Sequence, residues 1–267
     1  MKKSNIAREK IKNKTAAAVF FMLLIFCGAI WALSGKPVPI LMYHDVCADP
    51  ADANAICVSA EKLEADIVWL RDHGYTTILP RDLVSGGELP EKPVILSFDD
   101  GYRSNYELLF PLLQKYGAKA EISVIVSNID NGYAHFMSWD QLREMRDSGL
   151  AEIGSHTYDL HNPASGGAID PDGPNGIMRL KGESRADFEQ RVGTDLRKSC
   201  SRIEEALGQK VVTFAYPYGA SDRYSRRLVR ELFGVSFSTK SGMAGTRRTQ
   251  HLPRFAVNDE TNLDELL

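Results

Sequence analysis

The sequence predicts an α/β protein: a deformed (β/α) barrel of seven to eight strands, preceded by one N-terminal membrane helix. Three observations carry that prediction. Short β-rich runs alternate repeatedly with stretches of helical spacing, which implies parallel strands joined by right-handed crossovers. Seven or eight such units in about 230 residues suit a closed barrel better than an open sheet. Before them lies Ala16–Leu33, an 18-residue run without a charge.

The strands are predicted at Val38–Tyr43, Thr76–Leu79, Val94–Phe98, Ala120–Val126, Ala151–Gly154, Val211–Ala215, Val235–Ser238 and Leu252–Val257. Between them, helical spacing runs over Ala60–Asp72, Asn105–Tyr116, Trp139–Asp147, Ser184–Leu207 and Tyr224–Leu232. Ser59 and Ser138 stand where N-caps belong, and Gly117, Gly149 and Gly208 stand near helix ends. One long irregular stretch, Leu160–Gly182, is rich in Gly, Pro, Asp and Asn. Long loops in compact domains are usually functional, so a substrate-facing role is expected of it.

Charge sorts the chain into segments. Residues 1–14 hold six Lys or Arg against Glu9, whereas the remainder holds 26 basic and 34 acidic groups. An acidic body without a basic stripe is a poor nucleic-acid binder, so no nucleic-acid partner is expected. The basic segment 1–14 is expected to stay in the cytoplasm, with residues 15–34 acting as a signal anchor or a signal peptide. The body, 36–267, then lies outside the cytoplasm: anchored to the membrane through residues 16–33, or secreted after cleavage near Ser34. Its three cysteines, Cys47, Cys57 and Cys200, are an odd number, and Cys47 with Cys57 is the one pair close in sequence. A disulfide or two thiols are both open there.

Residues able to do chemistry cluster at predicted C-terminal strand ends, where parallel α/β folds place their sites. Ser97-Phe98-Asp99-Asp100-Gly101 puts two carboxylates side by side, which is costly unless a cation or proton intervenes. Taken alone, Asp-Asp-Gly is an ordinary solvated turn. In Gly154–His161, His156 and His161 are five apart, so they converge only if the chain turns between them. Together the two places supply two imidazoles, one carboxylate and a spare carboxylate. Three protein ligands and an open position define a catalytic metal site, and the spare group could serve as a base.

These residues also carry a family resemblance. Ser97–Gly101 resembles the first motif of the polysaccharide deacetylase (NodB-homology, carbohydrate esterase) family, usually written T-F-D-D-G. Gly154–His161 is similar to its second motif, and Phe214-Ala215-Tyr216-Pro217-Tyr218-Gly219 to its third, usually R-P-P-Y-G. The resemblance spans Lys36 to Leu267. The five-residue histidine gap and Met42-Tyr43-His44-Asp45-Val46 resemble the poly-N-acetylglucosamine deacetylases of biofilm systems, as does Leu252-Pro253-Arg254. Ala215 stands where the third motif has Arg, and no late leucine-rich motif ending in His precedes Leu267.

The resemblance implies a hydrolase that removes N-acetyl groups from an amino-sugar polymer, with a poly-N-acetylglucosamine-like exopolysaccharide preferred. Peptidoglycan or a chitooligosaccharide is the alternative substrate. A non-catalytic, membrane-anchored carbohydrate-binding protein is the alternative of another class. By the same resemblance Asp100, His156 and His161 hold one divalent metal, and Asp99 is the general base. The Tyr218 backbone N–H meets the oxyanion. Zinc suits that ligand set, and iron, cobalt or nickel take the same ligands. Tyr216, Trp139 and Tyr158 are candidates for sugar stacking, with core packing as the other role open to them; Arg254 joins them as a substrate contact. Without the late histidine another acid is needed, and His44, at the end of the first strand, is the candidate. Asp45 would assist it or cap the following loop. His251 precedes a strand and is the weaker competitor, and His73 and His135 have no reason to converge.

Overall fold

The computed structural model describes residues 35–161 and 176–267. The membrane helix expected within residues 15–34, and most of the Leu160–Gly182 loop, lie outside the described residues. Among the described residues no helix is long and apolar enough to cross a membrane.

Eight strands form the main sheet: β1 Ile40–Tyr43, β2 Thr76–Thr77, β3 Pro93–Asp100, β4 Ala120–Val124, β5 Ala151–Ser155, β6 Thr213–Ala215, β7 Val235–Phe237 and β8 Phe255–Ala256. All pair in parallel in the order β7-β6-β5-β4-β3-β1-β8, and β2 joins the N-terminal end of β3. One segment, residues 252–257, hydrogen-bonds both edges. Leu252 bridges Phe237, while Phe255 and Ala256 pair with Leu41 and Met42. The parallel sheet thereby curls back on itself, as the alternation of strand and helix signals predicts.

Among the described residues seven α-helices accompany the strands: α1 Ala60–Asp72, α2 Phe110–Tyr116, α3 Val126–Asp130, α4 Trp139–Asp147, α5 Arg185–Leu207, α6 Arg223–Leu232 and α7 Leu263–Leu266. Ser59 and Ser138 cap α1 and α4 by accepting the Lys62 and Gln141 N–H groups. Gly117 and Gly208 close α2 and α5 in the left-handed conformation.

Two of the differences from the sequence reading shape the site. The strand expected over Ala120–Val126 stops at Val124. The Ile125 N–H turns to Asp100 O, and Val126 starts α3 by donating to Thr157 O. The helix expected over Asn105–Tyr116 opens as a π turn at Asn105–Leu109. There the Asn105 side chain donates to His44 O at 2.9 Å, tying the helix start to the end of β1.

Side-chain alternation sorts the strands into two faces. Leu96, Phe98, Ile122, Val124 and Ile153 join the larger apolar cluster beneath the helices. Ile40, Ile95, Val235, Phe237 and Leu252 form a second, smaller cluster. The buried polar residues Ser97, Asp99, Glu121, Ser123 and Glu152 interrupt this apolar pattern from the middle of β3, β4 and β5. Cys47 and Cys57 lie on paired short strands and are free thiols, both directed at Val58 O. Burial, first, and then Cys47 push the Cys57 thiol up to about 12.

Candidate active site

Asp99 and Asp100 end β3, and their side chains part ways there. Asp100 adopts φ 72°, a left-handed conformation that non-glycine residues rarely hold, and Gly101 follows at φ 82°. A Cβ on Gly101 would lie 2.8 Å from the Val124 side chain, so the tight turn requires glycine.

The histidines follow β5. Thr157, at φ 78°, turns the chain between them. Asp195 on α5 accepts the Tyr158 and Asp159 N–H groups at 2.9 and 2.8 Å and holds that turn. Ser127 on α3 adds bonds to Tyr158 O and to the Asp159 carboxylate. The second histidine is thereby folded back over the first.

Asp100, His156 and His161 converge, each with a ligand atom within 4.8 Å of the others. His156 Nδ1 meets Ala215 O at 2.8 Å, and His161 Nδ1 meets the Tyr218 hydroxyl at 3.1 Å. Those contacts use one nitrogen of each ring and leave both Nε2 atoms facing Asp100 Oδ1, at 3.5 and 3.2 Å. Burial lowers His156 to about 4 and His161 to about 3, so both rings are neutral near pH 7 and these contacts are not ion pairs.

The donor set fits a divalent ion. Asp100 Oδ1 is buried without a hydrogen-bond partner. Burial, and then Asp99 beside it, push the Asp100 carboxyl up to about 7, a cost that a cation removes. Neutral imidazoles are the ligand form. The separations of 3.2 and 3.5 Å from Asp100 Oδ1 to the two Nε2 atoms are short enough for the three residues to share one ion.

Asp99 stands apart from this cluster. Burial alone would raise its carboxyl, but Arg254 overrides it and holds the group below the usual carboxylate range. Arg254 is fully buried and grips both oxygens, at 2.7 Å each. Its role as a substrate contact is therefore corrected: the guanidinium has no exposed face and is committed to Asp99. Arg254 directly precedes β8, the strand that closes the barrel, and supplies the cation paired with Asp99.

The stacking candidates fare differently from the Asp100–His156–His161 cluster. Tyr216 is 1% exposed and packs edge-on against Phe214, so it belongs to the core. Lys198 covers the Tyr158 ring at 3.4 Å. Trp139 bonds Asp130 and carries Arg202 over its face. All three rings are thus engaged by the protein itself. Tyr218 reaches the site, its ring tilted against His161 with centroids 4.7 Å apart and 39% exposed, and the sequence reading used only its N–H. Its φ of 57° is held by Gly219, where a Cβ would fall 2.9 Å from Thr239 N.

His44 is half-buried at the end of β1 and interacts electrostatically with Asp99 and Arg254. Asp45 caps instead, accepting the Val46 N–H and the Ser104 hydroxyl. His251 bonds Ser221, His73 stacks on Trp69, and His135 is exposed; none joins the cluster.

A curled parallel sheet with a two-histidine, one-carboxylate cluster at its C-terminal mouth defines a class of α/β-barrel proteins built for hydrolysis. Residues 86–235 match the family model for polysaccharide deacetylases, and the chain belongs to that family. It is 27% identical over 249 residues to the poly-β-1,6-N-acetyl-D-glucosamine N-deacetylase of Escherichia coli K12, covering 84% of this chain. The chain spans only 37% of that relative's length. The enzyme of the same name from Staphylococcus aureus MSSA476 is 25% identical over 76% of this chain and 68% of its own. Among solved structures, a de-N-acetylase from Aggregatibacter actinomycetemcomitans superposes with TM-score 0.76 at 26% identity, covering 87% of this chain and all of that one. IcaB from Ammonifex degensii gives 0.70 at 27%, covering 84% and 93%.

Proposed function

We propose that this protein is a metal-dependent hydrolase that removes N-acetyl groups from an extracellular amino-sugar polymer, with β-1,6-linked poly-N-acetylglucosamine as the preferred class. One observation carries the reading. A partnerless carboxylate oxygen and two neutral imidazole nitrogens converge beside a second carboxylate that has its own cation. The names of the E. coli and S. aureus relatives support the polymer class. The basic residues 1–14 and apolar residues 16–33 support placing the barrel outside the cytoplasm, anchored or released near Ser34.

Asp100, His156 and His161 would hold the ion, with zinc the best match to two imidazoles and a carboxylate. When bound, such an ion supplies Lewis acidity at the acetamide carbonyl and eases ionisation of water. Asp99, kept ionised and oriented by Arg254, accepts the proton of the attacking water. The Tyr218 N–H is the candidate donor to the developing oxyanion. Departure of the amine needs a proton, and His44 is the candidate donor. Burial keeps that ring neutral at rest, so the proton it hands to the amine is the one Asp99 takes from the attacking water; Asp99 is the carboxylate that acts on it most strongly.

The test compares acetate release from partially acetylated β-1,6- and β-1,4-linked glucosamine oligomers in the presence of zinc. Faster release from the β-1,6 series is expected. A β-1,4 preference points to chitin- or wall-type substrates, and binding without release points to a carbohydrate-binding barrel. His44→Ala should slow the sugar acetamide far more than an activated aryl acetate, whose leaving group needs little protonation. Equal losses on both substrates would remove the acid role.

A further inference from the structure

Arg254 is held from behind as well as in front. Its Nε donates to Ser238 O at 3.0 Å, and one Nη1 hydrogen goes to Ser97 Oγ at 2.9 Å. Ser97 has a single hydroxyl proton, and it donates that proton to Glu121 Oε2 at 3.0 Å. The other carboxyl oxygen, Oε1, lies 2.6 Å from Ser123 Oγ. Ser97, Ser123 and Glu121 are all fully buried. A Cβ on Gly154 would come within 2.4 Å of Glu121 Oε1, so the neighbouring strand leaves space for this carboxyl and nothing larger.

We propose that Glu121, acting through Ser97, is a positioning residue for the base: it fixes the direction of the Ser97 hydroxyl and so keeps Arg254 in the plane of the Asp99 carboxylate. The argument is one of hydrogen-bond polarity. With Glu121 Oε2 as acceptor, the Ser97 lone pairs face Arg254. Without that acceptor the hydroxyl can rotate, and its lone pairs are no longer held on Arg254. A hydroxyl without partners in a dry interior also costs free energy, so reorientation is favoured. Burial pushes the Glu121 carboxyl up to about 8, with Asp99 and Glu152 adding to it. The neutral form therefore prevails at pH 7, and Arg254 keeps Asp99 as its one anionic partner. Glu152, on the adjacent strand, is matched separately by Arg81 and Thr213. A glutamate near the start of β4 thus acts on the catalytic face without touching substrate.

The inference rests on the proposed hydrolytic reading, and its test separates the two. Glu121→Leu, Glu121→Gln and Ser97→Ala are assayed on an N-acetylglucosamine oligomer and on an aryl acetate, with metal content and melting temperature recorded. Glu121→Leu and Ser97→Ala should lower kcat on the order of 10- to 100-fold, the scale of a small misalignment, with KM and bound metal unchanged. Glu121→Gln keeps a neutral acceptor and should restore most of kcat. The inference is overturned if either loss falls within twofold of wild type, if Gln fares as badly as Leu, or if activity falls only with metal or folded fraction. Should Glu121→Leu not fold, Ser97→Ala and Glu121→Gln decide the matter. Wild-type activity on the ester but not on the oligomer would remove the substrate reading and leave the positioning role testable.

Discussion

Asp99→Asn is expected to lower turnover by about 10²–10⁴ while bound metal stays at its wild-type level. Asparagine keeps the shape of the side chain and one acceptor for Arg254, but it cannot take a proton. Asp100→Ala is expected to lose metal and activity together, because it removes the partnerless oxygen that faces both Nε2 atoms. The two neighbours differ in this way because of the backbone. Asp99 points into the barrel interior toward Arg254, whereas the left-handed turn at Asp100 swings its carboxylate to the histidines. Elemental analysis beside acetate release checks the division. Equal metal in both variants, or loss of metal from Asp99→Asn, would reverse it.

Arg254→Met should have the largest effect on stability. Removing one partner of a fully buried ion pair leaves an uncompensated charge, at a cost of about 3–5 kcal/mol. The sign of its pH dependence follows from Asp99. In the wild type the folded-state carboxyl lies below its unfolded value, so its stabilisation is present above about pH 4 and fades as the pH falls below that. In Arg254→Met the buried carboxyl rises above its unfolded value, and the variant is penalised most at neutral pH. Urea unfolding at pH 7 and at about pH 4 should therefore show the gap between the two proteins narrowing in acid. The double variant Asp99→Asn/Arg254→Met should recover much of the loss at pH 7. A gap independent of pH would mean that Arg254 stabilises by packing alone.

Much of this architecture was legible because the physics that carries it is local. Ala60–Asp72 and Trp139–Asp147 match their helical spacing and serine caps to the residue. The strands expected over Val94–Phe98 and Ala151–Gly154 are present, running on to Asp100 and Ser155. The Asp100–His156–His161 cluster was legible for a related reason: adjacent carboxylates and paired histidines are expensive unless something joins them. Arg254 shows where local reading runs out. Its partner lies 155 positions away, and only closure of the sheet by residues 252–257 brings the two together. The signal available was the deficit at Ala215: a base without its cation requires one from elsewhere. For Tyr216, Trp139 and Tyr158 the sequence identifies a ring but not what lies against it. Lys198 and Arg202, on α5, cover two of the three. Asp195 gave no local sign of its work, since a carboxylate on a helix reads as solvated until the loop after β5 is folded onto it.

The central claim is that the Asp100–His156–His161 cluster is a divalent-ion site that serves amide hydrolysis. The most direct measurement strips the protein with a chelator, restores zinc in substoichiometric steps, and follows bound metal and acetate release from the β-1,6 oligomer together. The expected result is that both rise in parallel and saturate at one equivalent per chain in the wild type, while His161→Ala shows neither. Acetate release that survives chelation unchanged would contradict the account.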